Sequence, residues 1–540
     1  MSKIYPIYEA EEIIIKYTNK PIDIVNENPK VWEIIKTTYI VVYIFSVSTI
    51  SKIILNKIEI KPKIKTEDKE IEKGLKLLIG YDEKEKKKIY LPETGLYQNF
   101  LITGTIGSGK TSSAMYPLTR QLIKYNKEHP EKKIGMLILD VKGNYYNQVT
   151  KYAEKYGLLE DLKVIELKGK VMYNPLDKPN LKAMVLANRL KTILNLFSEN
   201  NSESYWLDKA EQVLAEAIKL CRLYNDGYVT FVELHKLITI DGYYEQKIQI
   251  LREKFMSAKF NQEQVYELNT ALEFFQKEFK NLDIRTLSIL KSEITRITNT
   301  FISDYDVKNT FCAEREKLNF KGFKEVIEKG KIVVLNMNIA EYKNLSKIIA
   351  AYLKLDFQTE IMENLAKKTS KTTAFICDEY AEYVTKTDSD FFSLSREAKC
   401  INIVSTQSYS SLKNTLKDET AVKVICQNLI NKIWFRTDDI FTIEEAQKQL
   451  GKEEKIKTSK NISENAKETK YNYITNTFNS QNSSVSESFN IYTQNDYVYD
   501  TNFFTKELET FTTLAFLSDG SKIIKSSKLK MYPYFLNNED

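Results

Sequence analysis

The feature that most constrains the fold is a glycine-rich loop, Gly104-Thr-Ile-Gly-Ser-Gly-Lys-Thr111, which follows an apolar run at residues 99–103. The loop matches G-x-x-x-x-G-K-[ST] at every fixed position, and a helical pattern follows it. Glycines let the backbone wrap around phosphates with its N–H groups turned inward, and the start of the helix adds partial positive charge. The alternative, a chance glycine-rich turn, does not explain the strand and the helix. The pattern therefore predicts a phosphate-binding loop.

The residues of the loop have expected contacts with the phosphates and the metal ion of a bound nucleotide. Lys110 would reach the β- and γ-phosphates, and Thr111 would ligate Mg²⁺. We expect ATP and Mg²⁺ as cofactors. The residues expected to bind the nucleotide are Gly104, Gly107, Ser108, Gly109, Lys110, Thr111 and Ser112.

The remainder of the chain alternates between strand and helix patterns. Helical patterns separate most of the apolar or β-branched runs, which indicates a parallel sheet covered on both faces. These runs lie at 99–103, 134–139, 163–166, 331–337, 373–377, 400–405 and 431–436. Residues 178–325 break the alternation, because they carry almost only helical spacing, at 183–198, 206–224, 244–256, 261–281 and 284–303. The predicted fold class is α/β with an inserted all-α domain.

A pair of acids supplies the second half of the site. The apolar strand at 374–377 ends in Asp378 and Glu379. Asp378 would anchor a Mg²⁺-bound water and Glu379 would polarise the attacking water, as in P-loop enzymes that hydrolyse ATP to do mechanical work. The alternative role for the two acids is the start of a helix. No acceptor pocket of a small-molecule kinase is evident in the sequence.

Two further residues lie around the next strand. Gln407 falls just after the strand at 401–404, where a polar residue can sense the γ-phosphate. Arg396 precedes that strand, and an arginine there could face the nucleotide of a neighbouring subunit and stabilise transition-state charge. The alternative for Arg396 is an ordinary surface arginine.

Composition excludes several classes of site. The five cysteines form no CxxC pair, and the chain has only two histidines, so a disulfide scaffold, a zinc site and histidine-based catalysis are all disfavoured. The net charge of +6 over 540 residues allows a nucleic-acid partner without requiring one.

The N-terminal region contains one candidate membrane segment, at 37–55. Its uncharged stretch, residues 37–51, would span roughly 22 Å as a helix, which is shorter than the roughly 30 Å hydrocarbon core. A buried strand or helix is the alternative. The lysines that follow it predict that the rest of the chain is cytoplasmic.

These patterns divide the chain into six parts. We expect an N-terminal region at 1–75, a nucleotide-binding domain in two parts at 76–177 and 326–455, and the all-α domain at 178–325. A flexible excursion follows at 456–497, and C-terminal strands at 498–540 are expected to complete the nucleotide-binding domain.

Several segments resemble one family, the TraG/TraD-type coupling ATPases of type IV secretion and bacterial conjugation. The resemblance covers roughly residues 78–535, and its most specific feature is the order of the motifs, with a helical insert between the loop and the acidic pair. It departs from the family at Val141 and Asn144, which replace a proline and a glutamate. The segments concerned are Leu137 to Tyr146, Tyr173 to Asp177, Trp206 with Ala210, "CDEYAEY", "NKIWFRTDD" and "FLSDG".

The resemblance implies more than the residues alone do. It implies a RecA-like nucleotide-binding domain, an all-α domain that meets DNA–protein substrates, and a membrane anchor. It implies a homo-hexamer with ATP between subunits, in which Arg396 and Gln407 occupy the positions of an arginine finger and a motif glutamine. The partners would be single-stranded DNA or a DNA–relaxase complex and the subunits of a type IV secretion channel. An FtsK/HerA-like DNA pump or packaging motor and a nucleotide-gated receptor that does not translocate DNA remain the alternatives.

Overall fold

The computed structural model describes residues 74–196, 204–257, 260–365, 371–464 and 485–536, and a few residues within 30–47 and 470–479. The chain divides into two compact units, Met1–Gly74 and Leu75–Asp540. In the first unit, residues 36–43 are helical and exposed, while most of the predicted membrane segment lies outside the described residues. Within the described part of the chain, no helix is long and apolar enough to cross a membrane.

The second unit is built on one large sheet. The strands are β1 Lys76–Asp82, β2 Lys87–Pro92, β3 Phe100–Thr103, β4 Gly135–Leu139, β5 Leu162–Ile165, β6 Ile332–Leu335, β7 Thr373–Cys377, β8 Cys400–Thr406, β9 Asn431–Trp434, β10 Lys452–Glu464, β11 Lys470–Asn472, β12 Thr477–Asn479, β13 Val485–Tyr497, β14 Thr512–Ser518 and β15 Ile523–Lys530. In the described part of the chain, eleven of these strands form the large sheet, in the order β2-β1-β15-β14-β9-β3-β8-β7-β4-β6-β5.

The seven strands from β9 to β5 are parallel, and the four on the other side pair antiparallel. Strands β3, β4, β6, β7 and β8 are buried along their whole length, as expected for a parallel sheet covered by helices. This confirms the predicted α/β class. Because parallel strands end at the same edge, the segments that follow β3, β4, β7 and β8 come close together.

Helices cover the sheet and form a separate layer. They are α1 Glu93–Leu96, α2 Tyr116–Glu128, α3 Tyr145–Lys155, α4 Ala183–Leu196, α5 Ser204–Tyr224, α6 Phe231–Thr239, α7 Tyr243–Ser257, α8 Gln262–Glu273, α9 Ile284–Ile302, α10 Tyr305–Phe311, α11 Phe323–Lys329, α12 Ile339–Leu365, α13 Asp388–Ser395, α14 Tyr409–Leu416, α15 Glu419–Asn428 and α16 Ile440–Leu450. A π-helical turn, Thr111–Met115, leads into α2. The backbone of α12 breaks at Lys343, where φ is 46°.

Helices α4 to α10 form the inserted all-α region between β5 and β6. Its interior is apolar and contains the stacked rings of Phe231 and Phe301, with centroids 4.0 Å apart. Buried charges join this region to α12, since the carboxylate of Asp356 accepts a 2.7 Å hydrogen bond from Arg189 and lies 3.0 Å from the Lys178 ammonium. The inserted helices are thus fixed to the helix that packs beside the sheet.

The segment expected to be a flexible excursion contains a paired ribbon. Strands β10 and β13 pair antiparallel along their whole length, from Lys452 opposite Tyr497 to Glu464 opposite Val485. The described ends of 456–497 therefore differ from the expectation. Alternating β-branched residues such as Ile456 and Thr458 favour extended structure here, although the overall polarity of the segment suggested none.

Candidate nucleotide-binding site

The glycine-rich loop leaves β3 at Thr103 and closes around the side chain of Lys110. The buried Lys110 ammonium donates hydrogen bonds to the backbone carbonyls of Gly104 (2.5 Å) and Thr105 (3.2 Å). Burial lowers the pKa of Lys110, and the nearby carboxylates of Asp378 and Glu379 oppose that shift. The cation therefore lies inside the loop and faces the acidic pair.

Two glycines make the curvature of the loop possible. Gly107 has a φ of +78° and Gly109 a φ of +101°, conformations that favour residues without a Cβ. A Cβ on Gly109 would also lie 2.6 Å from the ring of Phe511. No atom lies within 4 Å of a Cβ built on Gly107. Gly107 is therefore required only by its backbone conformation, whereas Gly109 is required by its conformation and by the nearby ring.

The end of the loop contacts the acidic strand end directly. Thr111 Oγ1 donates a 2.8 Å hydrogen bond to Asp378 Oδ2. Asp378 is buried, and its other oxygen accepts hydrogen bonds from the Ser405 hydroxyl and, at 3.2 Å, from the Glu379 amide. Two neighbouring oxygen groups suit Mg²⁺, which prefers oxygen ligands and usually keeps waters and substrate phosphates as the others. Among the described residues, no group of three or more His, Cys, Asp or Glu side chains could hold a metal ion.

Glu379 is half-buried beside this pair. Its φ of 52° is in the left-handed region, which is uncommon for a glutamate. Burial raises the pKa of Glu379, and the charge on Asp378 raises it further, while Lys110 and Lys142 oppose the shift. A carboxyl group with a raised pKa and a strained backbone is a good candidate for a general base.

Gln407 connects Glu379 to the loop. Its side-chain amide lies near enough to the Glu379 carboxylate to lower the pKa of that group, and its backbone carbonyl accepts a 3.2 Å hydrogen bond from the Gly104 amide. The structure therefore brings together five of the predicted site residues, which are Lys110, Thr111, Asp378, Glu379 and Gln407.

Arg396 lies elsewhere. It is exposed and donates a 3.3 Å hydrogen bond to the carbonyl of Gly520 in the turn between β14 and β15. It precedes β8, whereas the loop follows β3, so Arg396 lies at the opposite edge of the parallel strands from the loop of its own chain. A role at the nucleotide of a neighbouring subunit stays a prediction.

Sequence reasoning assigned no role to Asp140, which follows β4 directly. Its buried carboxylate accepts hydrogen bonds of 3.1 Å from the amides of Lys142, Asn144 and Tyr145. Burial and the nearby Asp378 raise the pKa of Asp140. Asp140 thus stabilises the turn that places Lys142 near Glu379. Its position at the end of a buried strand is the sequence signal that could have identified it.

The C-terminal segment also reaches the loop. The Phe511 amide donates to the carbonyl of Ser108 (3.3 Å), and the Tyr534 amide donates to that of Ser112 (2.9 Å). No local pattern in the sequence indicates these contacts, because about 400 residues separate the partners.

Two family models match the chain. One, described as the type IV secretion-system coupling protein DNA-binding domain, matches residues 86–283, and the other, the TraM recognition site of TraD and TraG, matches residues 372–494. No curated protein matches the sequence.

Solved structures show the same fold at low sequence identity. Bacterial conjugative coupling protein TrwBdeltaN70 in an unbound monoclinic form is 13% identical with a TM-score of 0.53, covering 87% of this chain and 91% of that one. Plasmid coupling protein TrwB in complex with the non-hydrolysable GTP analogue GDPNP is 12% identical with a TM-score of 0.55, covering 82% and 87%. The same protein in complex with ADP and Mg²⁺ is 12% identical with a TM-score of 0.54 and equal coverage.

The parallel sheet, the phosphate loop and the acidic strand end define a P-loop nucleotide-binding protein of the RecA-like class, with an inserted all-α domain. The two family models match separate parts of the chain, and the one over residues 86–283 describes a coupling-protein domain. Together with the shared fold, these matches support a type IV secretion-system coupling protein.

Proposed function

We propose that the chain is an ATP-driven coupling protein that recruits single-stranded DNA, or a DNA–relaxase complex, and pumps it to a type IV secretion channel during conjugation. The observation that carries the proposal is the contact of Thr111 with Asp378, with Glu379 adjacent to it. This arrangement places a metal-binding pair and a candidate base at one phosphate loop.

Each residue has a defined part in the proposed hydrolysis of ATP. Lys110 would bind the terminal phosphates, and Thr111 and Asp378 would hold Mg²⁺, which would neutralise phosphate charge. Glu379 accepts a proton from the water that attacks the γ-phosphorus, and the bond from that phosphorus to the β–γ bridging oxygen breaks to release ADP and phosphate. Gln407 lies between this base and the loop, where it can report whether the γ-phosphate is present. The complexes of TrwB with ADP and Mg²⁺ and with GDPNP support nucleotide binding in this fold.

The wider assembly belongs to the same proposal. Arg396 lies away from the loop of its own chain and is exposed, which supports a homo-hexamer in which it reaches the nucleotide of a neighbouring copy. The match to a coupling-protein DNA-binding domain over 86–283 supports a DNA partner, and the match to a TraM recognition site supports a protein partner. We propose association with the cell membrane through residues 37–55, and a cytoplasmic location for the bulk of the chain.

One assay tests the central claim. The rate of ATP hydrolysis is measured with and without single-stranded DNA, for the wild type and for Glu379→Gln. We expect stimulation by DNA in the wild type and loss of hydrolysis in the variant. A rate that DNA does not change counts against a pump and favours a nucleotide-gated receptor, and an unchanged rate in the variant refutes the role of Glu379.

A second measurement separates the FtsK/HerA-like alternative from the coupling role. A general DNA motor needs only DNA, whereas a coupling protein should bind a relaxase covalently attached to DNA more tightly than the same DNA alone. Equal affinity for the two substrates would favour the general motor.

A further inference from the structure

The C-terminal segment forms one wall of the nucleotide site. The amide of Phe511 bonds to the carbonyl of Ser108 inside the loop, and the amide of Tyr534 bonds to the carbonyl of Ser112 at the start of the helix. The amide of Met531 donates to the carbonyl of Phe511 at 2.7 Å, which ties the two parts of this segment together. The backbone of residues 511–534 is therefore fixed against the loop at two points.

The side chains of this segment form an aromatic cluster of Phe511, Tyr534 and Phe535, which packs against Tyr116. The ring centroid of Phe535 lies 5.9 Å from that of Phe511 and 5.5 Å from that of Tyr534, and Tyr534 lies edge-on to Tyr116 at 5.1 Å. Phe535 is nevertheless 55% exposed. A large apolar ring is thus fixed in place by its neighbours while much of it remains open to solvent.

The backbone conformation of Phe511 is unusual and suggests that the aromatic cluster has a role in ligand binding. Its φ of 65° is in the left-handed region, where a bulky aromatic residue is an outlier. Its ring fills the space beside Gly109, since a Cβ there would lie 2.6 Å from the ring. Strained residues of this kind persist where the surrounding structure requires them, and often at ligand sites.

The direction of a bound nucleotide follows from the loop. Lys110 reaches the β- and γ-phosphates, while the backbone amides of the loop contact the α- and β-phosphates. Since the loop ends in the helix that starts beside Ser112, the phosphate chain of a bound nucleotide would run from Lys110 towards Ser112, with the sugar and the base beyond it. The carbonyl of Ser112 is bonded to the residue directly before Phe535.

We propose that Phe535, held by Phe511 and Tyr534, is the surface on which the base of the bound nucleotide stacks. This inference rests on the proposed nucleotide binding and adds the base subsite to it. The ring offers an apolar face, so the subsite takes a flat heterocycle and favours a purine over a pyrimidine by contact area.

The test compares a whole nucleotide with its phosphate part. Binding of Mg²⁺–ATP and of Mg²⁺–tripolyphosphate is measured by calorimetry on the full chain, for the wild type, Phe535→Ala, Phe535→Trp and Leu536→Ala. Leu536 is the matched control because it is the adjacent residue and is 68% exposed. We expect Phe535→Ala to weaken ATP binding by about tenfold, as loss of one base–aromatic stack does, and to leave tripolyphosphate binding unchanged. Phe535→Trp should restore ATP affinity, and Leu536→Ala should leave it unchanged.

Several results would overturn the subsite. These are an unchanged ATP affinity in Phe535→Ala, equal losses for ATP and tripolyphosphate, which would show that the ring only supports the loop, or wild-type affinity for tripolyphosphate equal to that for ATP. Failure of the proposed function differs from these outcomes. In that case the wild type binds ATP through its base, but DNA does not stimulate hydrolysis.

Discussion

The hydroxyl of Thr111 donates a 2.8 Å hydrogen bond to the carboxylate of Asp378, although 267 positions separate the two residues along the chain. Thr111 follows β3 and Asp378 follows β7, and β8 lies between those strands in the sheet. Ser405, near the end of β8, donates to the second oxygen of Asp378 and so joins all three strand ends. The carboxylate is thereby oriented before any ligand arrives, which is the preorganisation that a phosphate–metal site requires.

Removing the Thr111 hydroxyl should weaken the response to Mg²⁺. We expect Thr111→Ala to lower ATP hydrolysis by about 100-fold and to raise the Mg²⁺ concentration needed for half-maximal nucleotide binding, because one oxygen ligand is lost. Thr111→Ser keeps the hydroxyl and should stay within about threefold of the wild type. The measurement is a Mg²⁺ titration of nucleotide binding and of hydrolysis. Equal Mg²⁺ dependence in Thr111→Ala and the wild type would contradict the assignment.

The pH profile of hydrolysis should report the environment of Glu379. The pKa of Glu379 is raised above its ordinary value of 4.5, and the base works only when ionised, so activity should fall as pH decreases through that raised pKa. Lys142 opposes the shift. Lys142→Ala should therefore raise the pKa further and move the acidic limb of the profile to higher pH.

The control for this experiment is Lys151→Ala, which removes an exposed lysine of α3 and should leave the profile unchanged. The measurement is kcat between pH 5 and 9 for the wild type and both variants. An acidic limb at the same pH in Lys142→Ala and the wild type would show that Lys142 does not act on the base.

Arg396 should act on the nucleotide of a neighbouring copy. We expect Arg396→Ala to lose at least about 100-fold in hydrolysis while it retains ATP affinity, because an arginine that stabilises transition-state charge contributes little to ground-state binding. Glu397→Ala, in the same exposed turn, should remain active.

A mixing experiment distinguishes action between subunits from action within one. Arg396→Ala keeps an intact loop, and Lys110→Ala keeps an intact arginine, so each variant supplies what the other lacks. Mixed oligomers should recover part of the activity that neither variant shows alone. No recovery in oligomers shown to contain both variants would argue against a role in trans.

The predictable part of the site consists of residues that follow recognisable strands. Asp378 and Gln407 come directly after the buried strands β7 and β8, and Lys110 ends the loop that follows β3. Parallel strands bring such positions to one edge. The contact of Tyr534 with Ser112 was not predictable, because the expected C-terminal strands carry no signal for their order in the sheet, with β14 beside β9 and β15 beyond it. Arg396 is exposed and bonds to the carbonyl of Gly520 in the turn between β14 and β15, a contact that no spacing along the chain could show.

The region behind Glu379 depends on a buried ion pair that sequence patterns also did not indicate. The Lys354 ammonium donates to both carboxylate oxygens of Asp388, at 2.8 and 2.6 Å, and both side chains are fully buried. The same ammonium donates to the Tyr383 carbonyl at 2.7 Å, and the hydroxyl of Tyr380, the residue after Glu379, also bonds to Asp388. The pair therefore joins α12 and α13 to the turn that carries the candidate base.

Removing one partner should destabilise this turn strongly, because the other charge remains buried without compensation. We expect Asp388→Ala to lower the free energy of unfolding by about 3–5 kcal/mol, seen as a clear drop in Tm. Replacing both partners, Lys354→Met with Asp388→Leu, should cost less than Asp388→Ala alone, since no uncompensated charge is left. Glu273→Ala provides the control, because it breaks an exposed pair with Lys277 and should leave Tm unchanged. If the double variant is less stable than Asp388→Ala, the pair stabilises the turn through its hydrogen bonds and not merely by mutual compensation of charge.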